Sequence, residues 1–124
     1  MHSRPERRPL SNEERALLEW LMANATSDAR EYTQQLSRLK VVATCTCGCP
    51  SIDLAVGDAE ERTTGPSRIL ADFDGITPEG VQVGVILHAR KGQLSELEVY
   101  AIQDFDGKFT LPKIESLEKS RSSP

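Results

Sequence analysis

The most constraining feature of the sequence is a regular alternation of apolar and polar residues between positions 81 and 102. Every second residue of its first half is apolar: Val81, Val83, Val85, Leu87 and Ala89. This is the period of a strand buried on one side. A second alternating run, Gln93 to Ile102, follows after Arg90-Lys91-Gly92. The two runs predict an antiparallel hairpin with a three-residue loop that places Val85 opposite Leu97.

Three shorter runs upstream also have the two-residue period of strands. They are Lys40 to Cys47, Ile52 to Val56 and Arg68 to Phe73. In the first run the period puts Cys45 and Cys47 on the same side as Val41. Turn-forming residues separate the runs. The sequence therefore predicts an antiparallel β-meander of about five strands.

The first part of the chain has helical spacing instead. Ser11 and Glu14 have the S-x-x-E spacing of a capping box, in which each side chain accepts a hydrogen bond from a free backbone N–H. The apolar residues that follow recur at steps of three and four: Leu17, Leu18, Leu21 and Met22, then Ala29, Tyr32, Leu36 and Leu39. The expected fold class is α+β, with two N-terminal helices packed on the meander.

The 124 residues, at 13.7 kDa, correspond to one domain. Residues 1–10 are rich in arginine and proline and are expected to form a flexible tail. The segment 11–112 is the predicted domain, and the Ser/Lys/Glu-rich residues 113–124 are a second expected tail.

The charge of the chain disfavours two classes of partner. The net charge is −4, the wrong sign for a protein that binds nucleic acid through its overall field. No apolar run approaches the ~18 residues of a membrane span, and the N-terminus lacks an apolar leader, so we expect a cytoplasmic protein. Charges flanking the last predicted strand favour a monomer or a weak dimer.

The acidic residues are concentrated in the middle of the chain. Residues 53–106 contain eleven acidic and four basic side chains, a local net charge of −7. The ordinary interpretation is that these carboxylates keep a sheet soluble. The more specific interpretation is that they form an acidic surface for a basic protein partner. Its candidate residues are Asp53, Asp72, Asp74, Glu96, Glu98 and Tyr100.

All three cysteines lie in the segment Cys45-Thr46-Cys47-Gly48-Cys49-Pro50. They could be small core residues, a zinc site completed by His88, or a reactive thiol centred on Cys49. Alternate strand residues are ~6.7 Å apart, so zinc binding requires Gly48 to bend the chain. A structural disulfide fits poorly with an odd cysteine count in a reducing compartment.

Three stretches of the chain resemble a group of small bacterial proteins of uncharacterised activity. They are RPLS at 8–11 with Glu14-Arg15, CGCPSIDL at 47–54 and GQLSELEVY at 92–100. The resemblance covers most of residues 8–112, implies a stand-alone bacterial domain and supplies no catalytic residues. The predicted size and layout are also similar to those of small immunity proteins that neutralise toxins.

Two functions are therefore expected from different classes. The leading one is a non-enzymatic interaction module, of the immunity type, whose acidic sheet face binds a basic partner such as a nuclease toxin. This function requires no cofactor. The alternative is a zinc-binding or thiol-dependent protein that uses Cys45, Cys47 and Cys49.

Overall fold

The computed structural model describes residues 3–25 and 27–120, with all side chains except those of residues 27 and 28. Within this range one helix, α1 (Asn12–Asn24), is followed by a 3-10 helix (Ser27–Arg38), and a 3-10 turn (Ile114–Ser116) lies near the C-terminus. The strands are β1 (Ser3–Pro9), β2 (Leu39–Cys45), β3 (Ile52–Val56), β4 (Arg68–Ile76), β5 (Gln82–Arg90), β6 (Gln93–Ala101) and β7 (Glu118–Lys119). Neither described helix has the length and apolarity needed to cross a bilayer.

The strands form one antiparallel sheet in the order β1-β2-β3-β6-β5-β4-β7. The α+β class is confirmed, but the predicted meander of about five strands is wrong. The described sheet has seven strands, and β3 pairs with β6 rather than with β4. The segment 57–67 makes this order possible because it carries the chain from β3 past β6 and β5 to the start of β4.

The two strands that were not predicted, β1 and β7, lie in the segments expected to be tails. Both are edge strands and are largely exposed, so they show no apolar alternation by which a sequence could reveal them. Arg8 holds β1 against α1 through hydrogen bonds of 2.8 and 2.9 Å to the Glu14 carboxylate. Residues 1, 2 and 121–124 of the expected tails lie outside the described residues.

Helix α1 begins with the predicted capping box, which is confirmed. The Glu14 amide donates to Ser11 Oγ at 3.1 Å, and the Ser11 amide donates to Glu14 Oε1 at 2.8 Å. Burial raises the pKa of Glu14, but hydrogen bonds from Arg8 and Ser11 outweigh that effect and leave the pKa lowered. The Glu14 carboxylate therefore both caps the helix and holds β1 against it.

The second predicted helix is present as a 3-10 helix, which is unusually long for this type. It buries Ala29, Tyr32 and Leu36 in the core. The side-chain amide of Gln35 joins this helix to the β5–β6 turn. Its Nε2 donates to Gly92 O at 2.8 Å, and its Oε1 accepts from the backbone N–H of Leu94 at 2.9 Å.

The β5–β6 hairpin forms, but its predicted register is wrong. Arg90 pairs with Gln93, which leaves a two-residue turn. Both turn residues, Lys91 and Gly92, have positive φ (52° and 76°), the pattern of a type I′ turn. A shift in the strand register between His88 and Ala89 then brings apolar residues opposite one another, so that Val85 pairs with Val99.

The apolar sides of β5 and β6 form the centre of the core. The apolar residues of these strands with 0% exposure are Val83, Val85, Leu87, Leu94, Leu97 and Val99. They belong to one cluster with Leu17 and Leu21 of α1 and Ala29 of the 3-10 helix. The helices therefore cover one face of the sheet, and the alternate residues of β5 and β6 lie on the opposite face.

Gly84 and Tyr100 form a close contact on that opposite face. The Tyr100 ring lies over Gly84, where an added Cβ would come within 2.6 Å of Tyr100 Cε1 and closer still to Cζ and Oη.

We expect Gly84→Ala to lower the free energy of unfolding by about 1–3 kcal/mol because the Tyr100 ring must move, as measured by urea denaturation. In a Tyr100→Ala background the same change should cost much less. Equal costs in both backgrounds would contradict this account of the contact.

Candidate functional site on the open sheet face

The six residues predicted to bind a partner lie on the sheet face opposite the helices. Cross-strand pairing arranges them in three rows: Asp53–Glu96, Glu98–Ile86–Asp72 and Tyr100–Gly84–Asp74. Their immediate neighbours Leu54, Phe73 and Leu97 are buried on the helix side. The structure thus brings together, on one surface, residues from three parts of the sequence.

Arginines balance the acidic charge at the β3 end of this face. Glu96 is nearly buried and accepts hydrogen bonds from Arg62 Nη1 at 2.8 Å and Arg90 Nη1 at 3.3 Å. Arg62 Nε also lies 3.8 Å from Asp53 Oδ2. Burial raises the pKa of Asp53, and the nearby arginines only partly oppose that rise. This end of the face is therefore a compensated polar network.

The segment 57–67 lies over the same end of the sheet. Arg90 Nε donates to Gly65 O at 3.1 Å, and Thr63 Oγ1 donates to Gln93 Oε1 at 2.9 Å. Arg7 of β1 donates to Glu60 O at 3.3 Å. Sequence reasoning missed this arrangement, because nothing in the spacing of Arg62 relative to Glu96 indicates that they meet.

His88 lies in the middle of the open face with only 12% of its side chain exposed. Its Nε2 is 2.8 Å from Glu98 Oε1, and its Nδ1 bonds Ser67 Oγ. The order Ser67–His88–Glu98 is that of a nucleophile, a base and an orienting carboxylate. However, Ser67 is exposed, and it lines neither the cleft at the β4–β7 end of the sheet nor the small cleft beside Cys45. We interpret the three residues as part of the polar network that holds the segment 57–67.

The β4–β7 end of the face contains a cleft of about 400 Å³. Its walls include the carboxylates Asp74 and Glu118, the phenol of Tyr100 and the apolar side chain of Ile102. Tyr100 is 37% and Ile102 47% exposed. Glu118 was not predicted for this site, because only the pairing of β7 with β4 brings it opposite Asp74.

The surroundings of Tyr100 raise the pKa of its phenol. Burial raises its pKa, and the charges of Asp72, Asp74 and Glu98 raise it further. In addition, Asp72 Oδ1 is buried without a hydrogen-bond partner, an arrangement that costs about 1–3 kcal/mol. This end of the face therefore combines carboxylates close to Tyr100 with an unsatisfied acceptor.

The three cysteines form a separate cluster in the loop between β2 and β3. Their sulfur atoms lie within 4.8 Å of one another. Strand β2 ends at Cys45, so the prediction that Cys47 is a strand residue is wrong. Gly48, with φ of 101°, turns the chain there. The expectation that no disulfide forms is also wrong, because Cys45 and Cys47 form one and the odd cysteine, Cys49, is a free thiol.

The predicted fourth ligand, His88, does not join the cysteine cluster. It lies instead within 4.8 Å of carboxylate oxygens of Glu96 and Glu98. The sequence therefore located the cysteine cluster, but the pairing of strands β5 and β6 determined the neighbours of His88.

The acidic cleft and the cysteine loop are two distinct features of the described surface. The chain matches no protein-family model, and no curated protein or solved structure is significantly similar to it. We therefore infer function from the geometry and chemistry of these two features.

The network around Glu96 can be tested by removing Arg62. We expect Arg62→Ala to lower the free energy of unfolding by about 1–3 kcal/mol, because a nearly buried carboxylate loses its shortest charged hydrogen bond. The control is Arg4→Ala, since the Arg4–Glu6 pair is exposed and such pairs contribute about 0–1 kcal/mol. If the two variants lose equal stability in chemical denaturation, Arg62 does not have the role described.

The potential at Tyr100 can be measured by spectrophotometric titration of its phenol in a Tyr32→Phe background. Neutralising a nearby carboxylate with Asp74→Asn should lower the pKa of Tyr100 towards its ordinary value, because the phenolate then experiences less repulsion. Asp58→Asn removes an exposed charge that is not among the causes of the shift, and it should leave the titration unchanged. An unchanged pKa in Asp74→Asn would show that the Asp74 carboxylate does not act on Tyr100.

Proposed function

We propose that this protein is a non-enzymatic interaction module whose open sheet face binds a basic protein partner. The observation that carries the proposal is the cleft at the β4–β7 end of that face, whose lining, among the described residues, contains the acidic residues Asp74 and Glu118 beside Tyr100 and no basic residue. Complementary fields of this kind accelerate encounter and select a partner. The docking site is the β4–β7 end of the face, because Arg62 and Arg90 already compensate the β3 end.

The cleft at this end suits the side chain of an arginine or a lysine. The carboxylates of Asp74 and Glu118 can accept hydrogen bonds from its charged group. The exposed ring of Tyr100 offers a surface for a cation, and Ile102 offers an apolar wall for the aliphatic stem. A cationic side chain would thus find both charge and apolar contact in one cleft.

A nuclease toxin is the form of basic partner that we propose. Enzymes that bind nucleic acid need positive charge along the phosphate path. A protein with an acidic face can occupy that path and so exclude the substrate. In this proposal the protein acts by occupying the nucleic-acid path of its partner. Its residues contribute shape and charge and perform no chemical step.

The test uses an arginine-rich synthetic peptide as the probe and isothermal titration calorimetry as the measurement. Asp74→Asn combined with Glu118→Gln should weaken binding about tenfold, because two charges worth up to ~1 kcal/mol each are lost. Glu13→Gln combined with Glu19→Gln removes the same charge from the exposed side of α1 and should change the affinity less than twofold. Binding should weaken as salt increases.

Two results would oppose this proposal. Equal weakening by the two pairs of variants would show that the peptide responds to net charge rather than to the cleft. Binding that is unaffected by salt would remove the electrostatic basis of the proposal. Chemical-shift changes confined to Gln82, Tyr100 and Ile102 would place the peptide at the cleft independently.

A further inference from the structure

The loop between β2 and β3 places Cys47 between two other sulfurs. Cys47 forms a disulfide with Cys45, and Cys49 Sγ lies 2.8 Å from Cys47 Sγ. The positive φ of Gly48 produces this arrangement, and the hydrogen bond from the Phe109 amide to Gly48 O (3.2 Å) fixes the loop against the segment after β6. A free thiol is thus held beside one sulfur of an existing disulfide.

Backbone amides donate hydrogen bonds to two of the sulfurs. The Cys47 amide lies 3.3 Å from Cys45 Sγ, and the Cys49 amide lies 3.4 Å from Cys47 Sγ. An N–H group directed at sulfur favours the thiolate over the thiol, because it stabilises negative charge. If Cys49 attacks Cys47, the sulfur that leaves is Cys45, and the Cys47 amide is already positioned to stabilise it.

We propose that Cys45, Cys47 and Cys49 form a thiol–disulfide exchange site in which the disulfide of Cys47 moves between its two neighbours. The Cys49 thiolate attacks Cys47 Sγ, the Cys47–Cys49 bond forms, and the Cys45–Cys47 bond breaks with its electron pair on Cys45. The proton lost by Cys49 to solvent is balanced by one taken up at Cys45. No net oxidation occurs, so the step needs no added oxidant or reductant.

The two disulfides close loops of equal length, because one residue separates the cysteines in each pair. In the unfolded chain, where the closure entropy depends on loop length, neither pairing is therefore favoured. The central sulfur belongs to an exposed residue, so an external thiol can also reach it. The chemical class of substrate for this site is accordingly a thiol or a disulfide.

Exchange would move the free thiol from one surrounding to another. Cys49 packs against the hydrophobic core, whereas Cys45 lines a small cleft of about 110 Å³ together with Asp53, Arg62 and Glu96. The free thiol would thus move from the core side of the loop to the polar network of the open face. This chemistry is independent of partner binding at the β4–β7 end.

The test is alkylation of the protein purified without reductant, followed by non-reducing peptide mapping by mass spectrometry. N-ethylmaleimide should label Cys45 in some molecules and Cys49 in others, because exchange interconverts the two pairings. Cys47 should remain unlabelled. Cys49→Ser should contain only the Cys45–Cys47 disulfide, and Cys45→Ser only the Cys47–Cys49 disulfide.

Cys47→Ser is the matched control because it removes the shared sulfur and keeps both outer cysteines. It should show two labelled thiols in a protein whose circular dichroism is unchanged. Label found only on Cys49 would overturn the exchange, and so would label on all three residues. One metal ion per chain in native mass spectrometry, with all three cysteines protected from label, would also overturn it and establish a thiolate metal site instead.

Discussion

Burial of the apolar sides of β5 and β6 against the helices is the interaction on which the rest of the structure depends. Val85, Leu87, Leu97 and Val99 are completely buried in the middle of the sheet, and burying each such side chain contributes about 1.5–3 kcal/mol. Because side chains alternate along a strand, this burial also determines which residues lie on the opposite face. The position of Glu98 and Tyr100 on that face is therefore a geometric consequence of the core.

Charge compensation divides that face into two regions. At the β3 end, Arg62 and Arg90 bind Glu96, and the segment 57–67 lies over the network. At the β4–β7 end, Tyr100 lies in the field of Asp72, Asp74 and Glu98. A count of charges along the chain cannot separate these regions, because the arginines that compensate Glu96 come from two different parts of the sequence.

Local signals in the sequence were reliable where the structure depends on neighbouring residues. The Ser11–Glu14 capping box forms as its spacing predicts, and the alternation from position 81 gives the β5–β6 hairpin. The register of the hairpin was wrong because a shift beside His88 accommodates a two-residue turn. The edge strands β1 and β7 were missed because exposed strands are stabilised by backbone pairing, which leaves little trace in side-chain pattern.

The sequence by itself determined the α+β class, the buried side of each central strand and the presence of three cysteines in one short segment, because each depends on the spacing of nearby residues. The tertiary structure alone decided that β3 pairs with β6, that Glu118 reaches Asp74, and that the cysteine sulfurs cluster without His88. These outcomes depend on contacts between residues far apart in the chain, and such contacts are selected by the packing of the whole sheet.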